Sequence, residues 1–156
     1  MANSYNVIFL KAGGSEDIEK GYEEGVAGEA GIYPGMIVKV SAVSATDVNT
    51  CTVLKQTEQK VKVECLIVTE DMNVLQGKTV TDVYASGDPI SYCKVQPGDE
   101  VQVYMAATQD VDPTSFLTPN TAGAFIEVTS TDYRMFKCLE TNAATALGDL
   151  IAARAV

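Results

Sequence analysis

The chain has 156 residues, 46% of them hydrophobic, with 11 Lys and Arg against 21 Asp and Glu, a formal charge of −10, and no histidine. A chain of this length fits one domain or two small fused ones, and it buries about 68–70% of its unfolded surface without a metal or disulfide staple. The negative balance, with no local cluster of Lys or Arg, argues against nucleic-acid and anionic-membrane partners; it fits plain solubility or a basic protein partner.

The first apolar run is Val7-Ile8-Phe9-Leu10. No basic region precedes it, and it is too short for a signal-peptide core or a membrane span, so neither standard export nor membrane insertion is expected. Gly13-Gly14-Ser15 then breaks the chain, and Ser15 to Glu24 is acidic, with Ser15 placed as a helix N-cap. Glycines recur at Gly21, Gly25, Gly28 and Gly31. Residues 1–31 therefore read as an extended N-terminal arm.

From Ile32 onward the pattern predicts strands. Pro34-Gly35 is turn chemistry, and Met36, Val38 and Val40 alternate after it. Cys51 and Val53 continue the two-residue period, as do Val61, Val63, Cys65 and Ile67. Gly87-Asp88-Pro89 leads into Ile90 and Tyr92, and Gln96-Pro97-Gly98-Asp99 leads into Val101, Val103 and Met105. Ala124, Ile126 and Val128 mark another strand, Tyr133, Met135 and Leu139 a further one, and Leu150 to Val156 the last. Short helical turns are predicted only over Thr79–Ser86 and Asn142–Leu147. The expected fold is mainly β, a small barrel or sandwich over residues 32–156 with little helix.

Two internal echoes suggest similar halves, about 32–105 and 106–156. Pro34 to Val40 matches Pro97 to Val103 in turn and alternation, and Gly87-Asp88-Pro89-Ile90 matches Gly148-Asp149-Leu150-Ile151. Ordinary reuse of turn residues explains the same echoes.

The chemistry of catalysis is missing from the sequence. Without His there is no usual general base, triad relay or common transition-metal ligand. No Ser-x-x-Lys, Gly-x-Ser-x-Gly, dinucleotide fingerprint or complete phosphate loop occurs. Gly77-Lys78-Thr79 lacks the glycine five residues earlier. The carboxylates Glu70-Asp71, Asp88, Asp99-Glu100 and Asp110/Asp112 flank turns, where such side chains cap the backbone and stay solvated. Asp110 to Pro113 lacks the acidic alternation of a calcium loop. Cys51, Cys65, Cys93 and Cys138 form no CxxC pair and sit among apolar residues, which favours reduced, buried thiols. No enzyme activity, cofactor or metal is expected.

Three stretches carry a resemblance. They are Ala30 to Lys39, Thr81 to Ile90 with Val95 to Val101, and the C-terminal Gly148 to Val156. Their order of tyrosine, Gly-Asp, strand, Pro-Gly-Asp and strand, closing on a hydrophobic strand, resembles the capsid cement, or head decoration, proteins of tailed bacteriophages. The resemblance implies a structural virion protein, made in the host cytoplasm, that binds the major capsid protein on the outside of an assembled capsid and stabilises it, as a homo-oligomer expected to be a trimer. On that reading Tyr5, Val7, Ile8 and Phe9 are apolar anchors reaching a neighbour, with Tyr22, Ile32 and Tyr33 on the same surface. An ordinary edge strand accounts for residues 7–10 equally well. A β-rich tail, fibre or surface carbohydrate-binding module shares the same composition.

Overall fold

The computed structural model describes residues 8–11, 22–41, 51–129, 131–142 and 149–156. They form a mainly β protein with one closed five-stranded barrel and a six-stranded sheet. The barrel comprises β2 (Glu23–Ala27), β3 (Ile37–Ser41), β4 (Thr52–Lys55), β5 (Leu66–Thr69) and β6 (Pro89–Lys94), in the order β2-β4-β3-β5-β6. β5 and the middle of β6 are buried on both faces, as is the start of β3. Val38, Leu66, Val68, Ile90 and Tyr92 fill one core with Ile32 and Tyr84. The opposing row Ile37, Ile67 and Cys93 joins a second core. This double burial explains why β5 reads Leu-Ile-Val-Thr, four buried residues without alternation.

The second sheet holds β1 (Phe9–Lys11), β7 (Glu100–Tyr104), β8 (Phe116–Pro119), β9 (Phe125–Glu127), β10 (Phe136–Cys138) and β11 (Leu150–Ala155). Its order is β1-β7-β11-β10-β8-β9. Met105, directly after β7, makes a parallel bridge to Phe125 in β9, and the Ala106 N–H donates to the Phe125 carbonyl at 2.9 Å. That bridge brings β9 back to β7 and rolls β7 to β11 into a second five-stranded ring.

The two rings share one wiring. Number the strands one to five in each, β2 to β6 and β7 to β11. In both, the first strand lies between the fifth and the third, and it runs parallel to the third. In both, the second lies between the third and fourth, and the fourth beside the fifth. Even the isolated bridges correspond. Ile32↔Tyr84 and Val111↔Asn142 each tie the first connection of a ring to its fourth.

Recurrent four-residue turns punctuate both rings. In each, the fourth residue donates its N–H to the first residue's carbonyl and accepts the first residue's N–H on its side chain. Asp88 does this with Ala85, Asp99 with Gln96, Asp82 with Thr79 and Asp132 with Thr129. Ser115 does the same with Asp112, and the Met36 sulfur replaces the oxygen opposite Tyr33. Asp132 also accepts the Thr129 hydroxyl, which is the main reason its carboxyl sits below the usual carboxylate range. A lowered folded value means stability that is present above the ordinary pKa of 3.8 and is lost as pH falls through the folded pKa. In urea titrations, the stability gap between the chain and Asp132→Asn should therefore hold steady from neutral pH to about 5 and shrink below the unfolded carboxylate value of about 3.9. A gap unchanged at the lowest pH would remove the turn carboxylate from the account.

Several sequence expectations differ from the structure. Residues 1–31 are not an arm throughout: β1 pairs with β7, and β2 is a full barrel strand between β4 and β6. Removing residues 1–31 would open the barrel. The rings divide between β6 and β7, at 95–99, and not at 105/106, because β7 is the first strand of the second ring. Val61, Val63 and Cys65 lie outside any strand, and Val40 is exposed. Thr79–Ser86 is not helical; it contains the Thr79–Asp82 turn and the buried bridge residue Tyr84. The helix is α1, Asp71–Leu75. Residues 143–147 of the other expected helical turn lie outside the described residues, as do Tyr5, Val7 and residues 12–21.

Candidate interaction surfaces

The five described anchor residues do not converge on one surface. Ile8 is fully buried in the second ring's core directly before β1, and Phe9 opens that edge strand of this chain opposite Val101. Ile32 is fully buried in the first ring's core, where it bridges Tyr84. Tyr33 stacks on Tyr104 with ring centroids 5.3 Å apart and packs with Met36 and Ala124 where the rings meet. Burial there, with Tyr33 nearby, raises the Tyr104 pKa. Tyr22 alone among the five is clearly exposed.

The titratable groups with chemical interest are engaged in structure. Asp88 and Asp99 hold their turns, Asp88 also pairs with Lys78 at 3.6 Å, and Glu100 pairs with Arg154 at 2.7 Å. Asp99 is buried rather than solvated. The Asp112 carboxyl accepts the Thr114 hydroxyl and backbone N–H, which lower its pKa. Tyr92 lies 3.4 Å from the Cys51 sulfur; burial first, then Cys51 and Glu23, raise its pKa. All four cysteines are thiols, and burial pushes Cys138 up. Among the described residues no group of three or more His, Cys, Asp or Glu could hold a metal.

Described residues line two surface clefts. One, of about 230 Å³, runs beside Thr114, Phe116, Glu127 and Arg134. Its polar ends are occupied: the Arg134 guanidinium lies 4.6 Å from the Phe116 ring centre, and the Ser115 hydroxyl donates to Glu127 at 2.8 Å. The other, of about 300 Å³, is mostly apolar and lies between Val63, Val95, Tyr133 and Val156. Both sit at or below the size of a usual small-molecule site, about 300–1,000 Å³.

One connection carries a signal that the sequence reading missed. Residues 70–88 hold α1, whose first amides are capped by a β6 side chain and by one from later in the same connection, and not by its own N-cap residue. Met72 N–H donates to the Ser91 hydroxyl at 3.1 Å and Asn73 N–H to the Tyr84 hydroxyl at 3.2 Å. The Tyr84 hydroxyl in turn donates to the Thr69 carbonyl at 2.9 Å, and burial chiefly raises its pKa. Outside this anchored base, Val74, Leu75 and Val83 face solvent.

The fold and its surfaces define a two-ring β protein built from engaged side chains. No family model matches the chain, and no curated protein matches it. Among solved structures it is similar to the N base of the head fiber protein gp8.5 of bacteriophage phi29. The TM-score is 0.58 at 11% identity, over 88% of this chain and 95% of that one, a likeness of fold.

Proposed function

We propose that the chain is a structural virion protein that binds the outside of an assembled phage head and stabilises it without catalysing a reaction. The observation that carries this reading is the fold shared along 88% of the chain with a phage head fiber base. The turn-bound carboxylates and the acidic surface are compatible with it. A protein that binds only the assembled lattice stabilises it by mass action, as RT ln(1 + [L]/Kd) per site, and many copies bridging subunits add avidity. A trimer would supply three such contacts per unit. The name of the similar structure favours a second reading within the same class, the base of a projecting fibre instead of a cement clamp.

The test is to mix the purified chain with heads of its phage prepared without it. The proposal expects co-sedimentation at a fixed copy number and a higher disruption temperature of the heads. Retention of glycans on an array, with no association with heads at any concentration, would replace it with the carbohydrate-binding reading.

A further inference from the structure

We propose that the 56–65 connection is a clasp that joins the two rings into one rigid body, and that Lys60, held in the left-handed backbone region, is its catch. The inference concerns the chain by itself and stands whether or not the chain binds heads.

The clasp joins equivalent parts of the two rings. Residues 56–65 lead from the third strand of the first ring to its fourth, and residues 128–135 do the same in the second. The two connections meet at Lys60. Its N–H donates to the Pro119 carbonyl at the end of β8, and its carbonyl accepts the Tyr133 N–H, both at 3.1 Å. Its ammonium lies 3.6 Å from the Asp132 carboxylate. One residue of the first ring is thus tied to the second through both backbone groups and its side chain.

The start of the connection belongs to the first ring. Gln56 is buried, its N–H donates to the Ile37 carbonyl of β3 at 3.1 Å, and its side-chain oxygen accepts the Thr57 and Glu58 N–H groups. The Thr57 hydroxyl accepts from the Lys39 ammonium at 2.9 Å. Beyond Lys60, Val63 and Cys65 pack against the second ring's core. The connection is therefore fixed to one ring where it begins and to the other from its middle onward.

Lys60 has a φ of +60°, which residues other than glycine seldom adopt. Such a conformation persists only where its surroundings over-determine it. Here it lets the N–H and the carbonyl of a single residue reach two different segments of the second ring. The strain is local, and what it secures is a contact between rings.

The apolar core shared by the rings holds them together, but apolar burial is non-directional. Directional bonds fix the angle between them. Some lie at the seam, where the Tyr104 N–H donates to the Gly35 carbonyl and the Ile37 N–H to the Gly123 carbonyl, both at 2.9 Å. The clasp adds bonds from a separate connection of the first ring. A pair of rings locked in this way has no internal freedom to lose when a partner fixes both.

The test is to measure residual dipolar couplings by NMR on the unmodified chain, Lys60→Pro and Lys60→Gly. Proline cannot take a positive φ and has no N–H, so Lys60→Pro releases the catch, whereas glycine keeps both backbone bonds at that φ. Couplings from the two rings should fit one alignment tensor in the unmodified chain and in Lys60→Gly. In Lys60→Pro the common tensor should be lost, with each ring needing its own. A common tensor in Lys60→Pro would overturn the clasp, as would separate tensors in the unmodified chain or in Lys60→Gly. Hydrogen exchange of the unmodified chain decides the matter if Lys60→Pro does not fold. The Tyr133 amide, bonded to Lys60, should exchange as slowly as the Met135 amide, bonded to Leu117 within the second ring at 2.9 Å. Exchange at Tyr133 more than about tenfold faster would mean that the clasp opens by itself, and the proposal would fall.

Discussion

Phe125→Ala should lower the unfolding free energy by about 3–5 kcal/mol, the usual loss for an aromatic deleted from a packed core. Phe125 is fully buried, meets Phe136 edge to face at 5.3 Å and 90°, and belongs to the strand whose bridge to Met105 completes the second ring. Against a total stability of about 5–15 kcal/mol for a typical domain, a loss of that size takes much of the margin. Urea unfolding measures it through the shift in midpoint at constant slope. A milder cycle, Phe125→Leu with Phe136→Leu, should reveal a coupling of about 0.5–1.5 kcal/mol from the ring pair. A loss under about 1 kcal/mol for Phe125→Ala would mean that the second core is loosely filled.

The second large effect is expected at the seam between the rings. The Gly35 N–H donates to the Val68 carbonyl of the first ring, and its carbonyl accepts the Tyr104 N–H of the second, both at 2.9 Å. Its φ is +90°, and a β-carbon there would lie 2.7 Å from the Leu150 side chain and 3.0 Å from the Tyr104 nitrogen. Gly87 has nearly the same φ, +89°, with nothing within 4 Å of an added β-carbon. Gly87→Ala should cost only the backbone strain, about 1–3 kcal/mol. Gly35→Ala should cost that and about 1–3 kcal/mol more for overpacking. Equal losses in thermal or urea unfolding would show that the seam yields freely.

Much of this architecture was legible in the sequence, because its turns are chemical. The Gly-Asp signals before Ile90 and Leu150 lead into the fifth strand of each ring, and Ile90 and Ile151 are both fully buried. The Pro-Gly echo was misleading. Pro34-Gly35 opens the second strand of the first ring, whereas Pro97-Gly98 opens the first strand of the second. The structural counterpart of Ile32 to Val40 is Val111 to Pro119, where Asp112-Pro113-Thr114-Ser115 closes with the same pair of hydrogen bonds but without the positive φ of Gly35. The hydrogen-bond pattern and the proline repeat there, while the Pro-Gly pair does not.

Other features were hidden by tertiary requirements. β2 looks like an arm because it carries Gly25, yet a β-carbon at Gly25 would come within 2.8 Å of the Cys51 sulfur and Val53. The glycine makes room for the parallel strand that closes the barrel. The helix α1 has no side-chain cap of its own and depends on hydroxyls from Tyr84 and Ser91, which local sequence does not display. Among the anchor residues proposed from the N-terminal run, Ile8 is apolar for a nearer reason. Ile8 is part of this chain's own core, and apolarity alone does not distinguish a core residue from a partner contact.

Imaging the intact phage particle tests the central claim most directly. The account predicts density for this two-ring fold on the outer face of the head shell. Particles that contain the protein only in the tail, or heads that carry no such density although the protein is made, would contradict it.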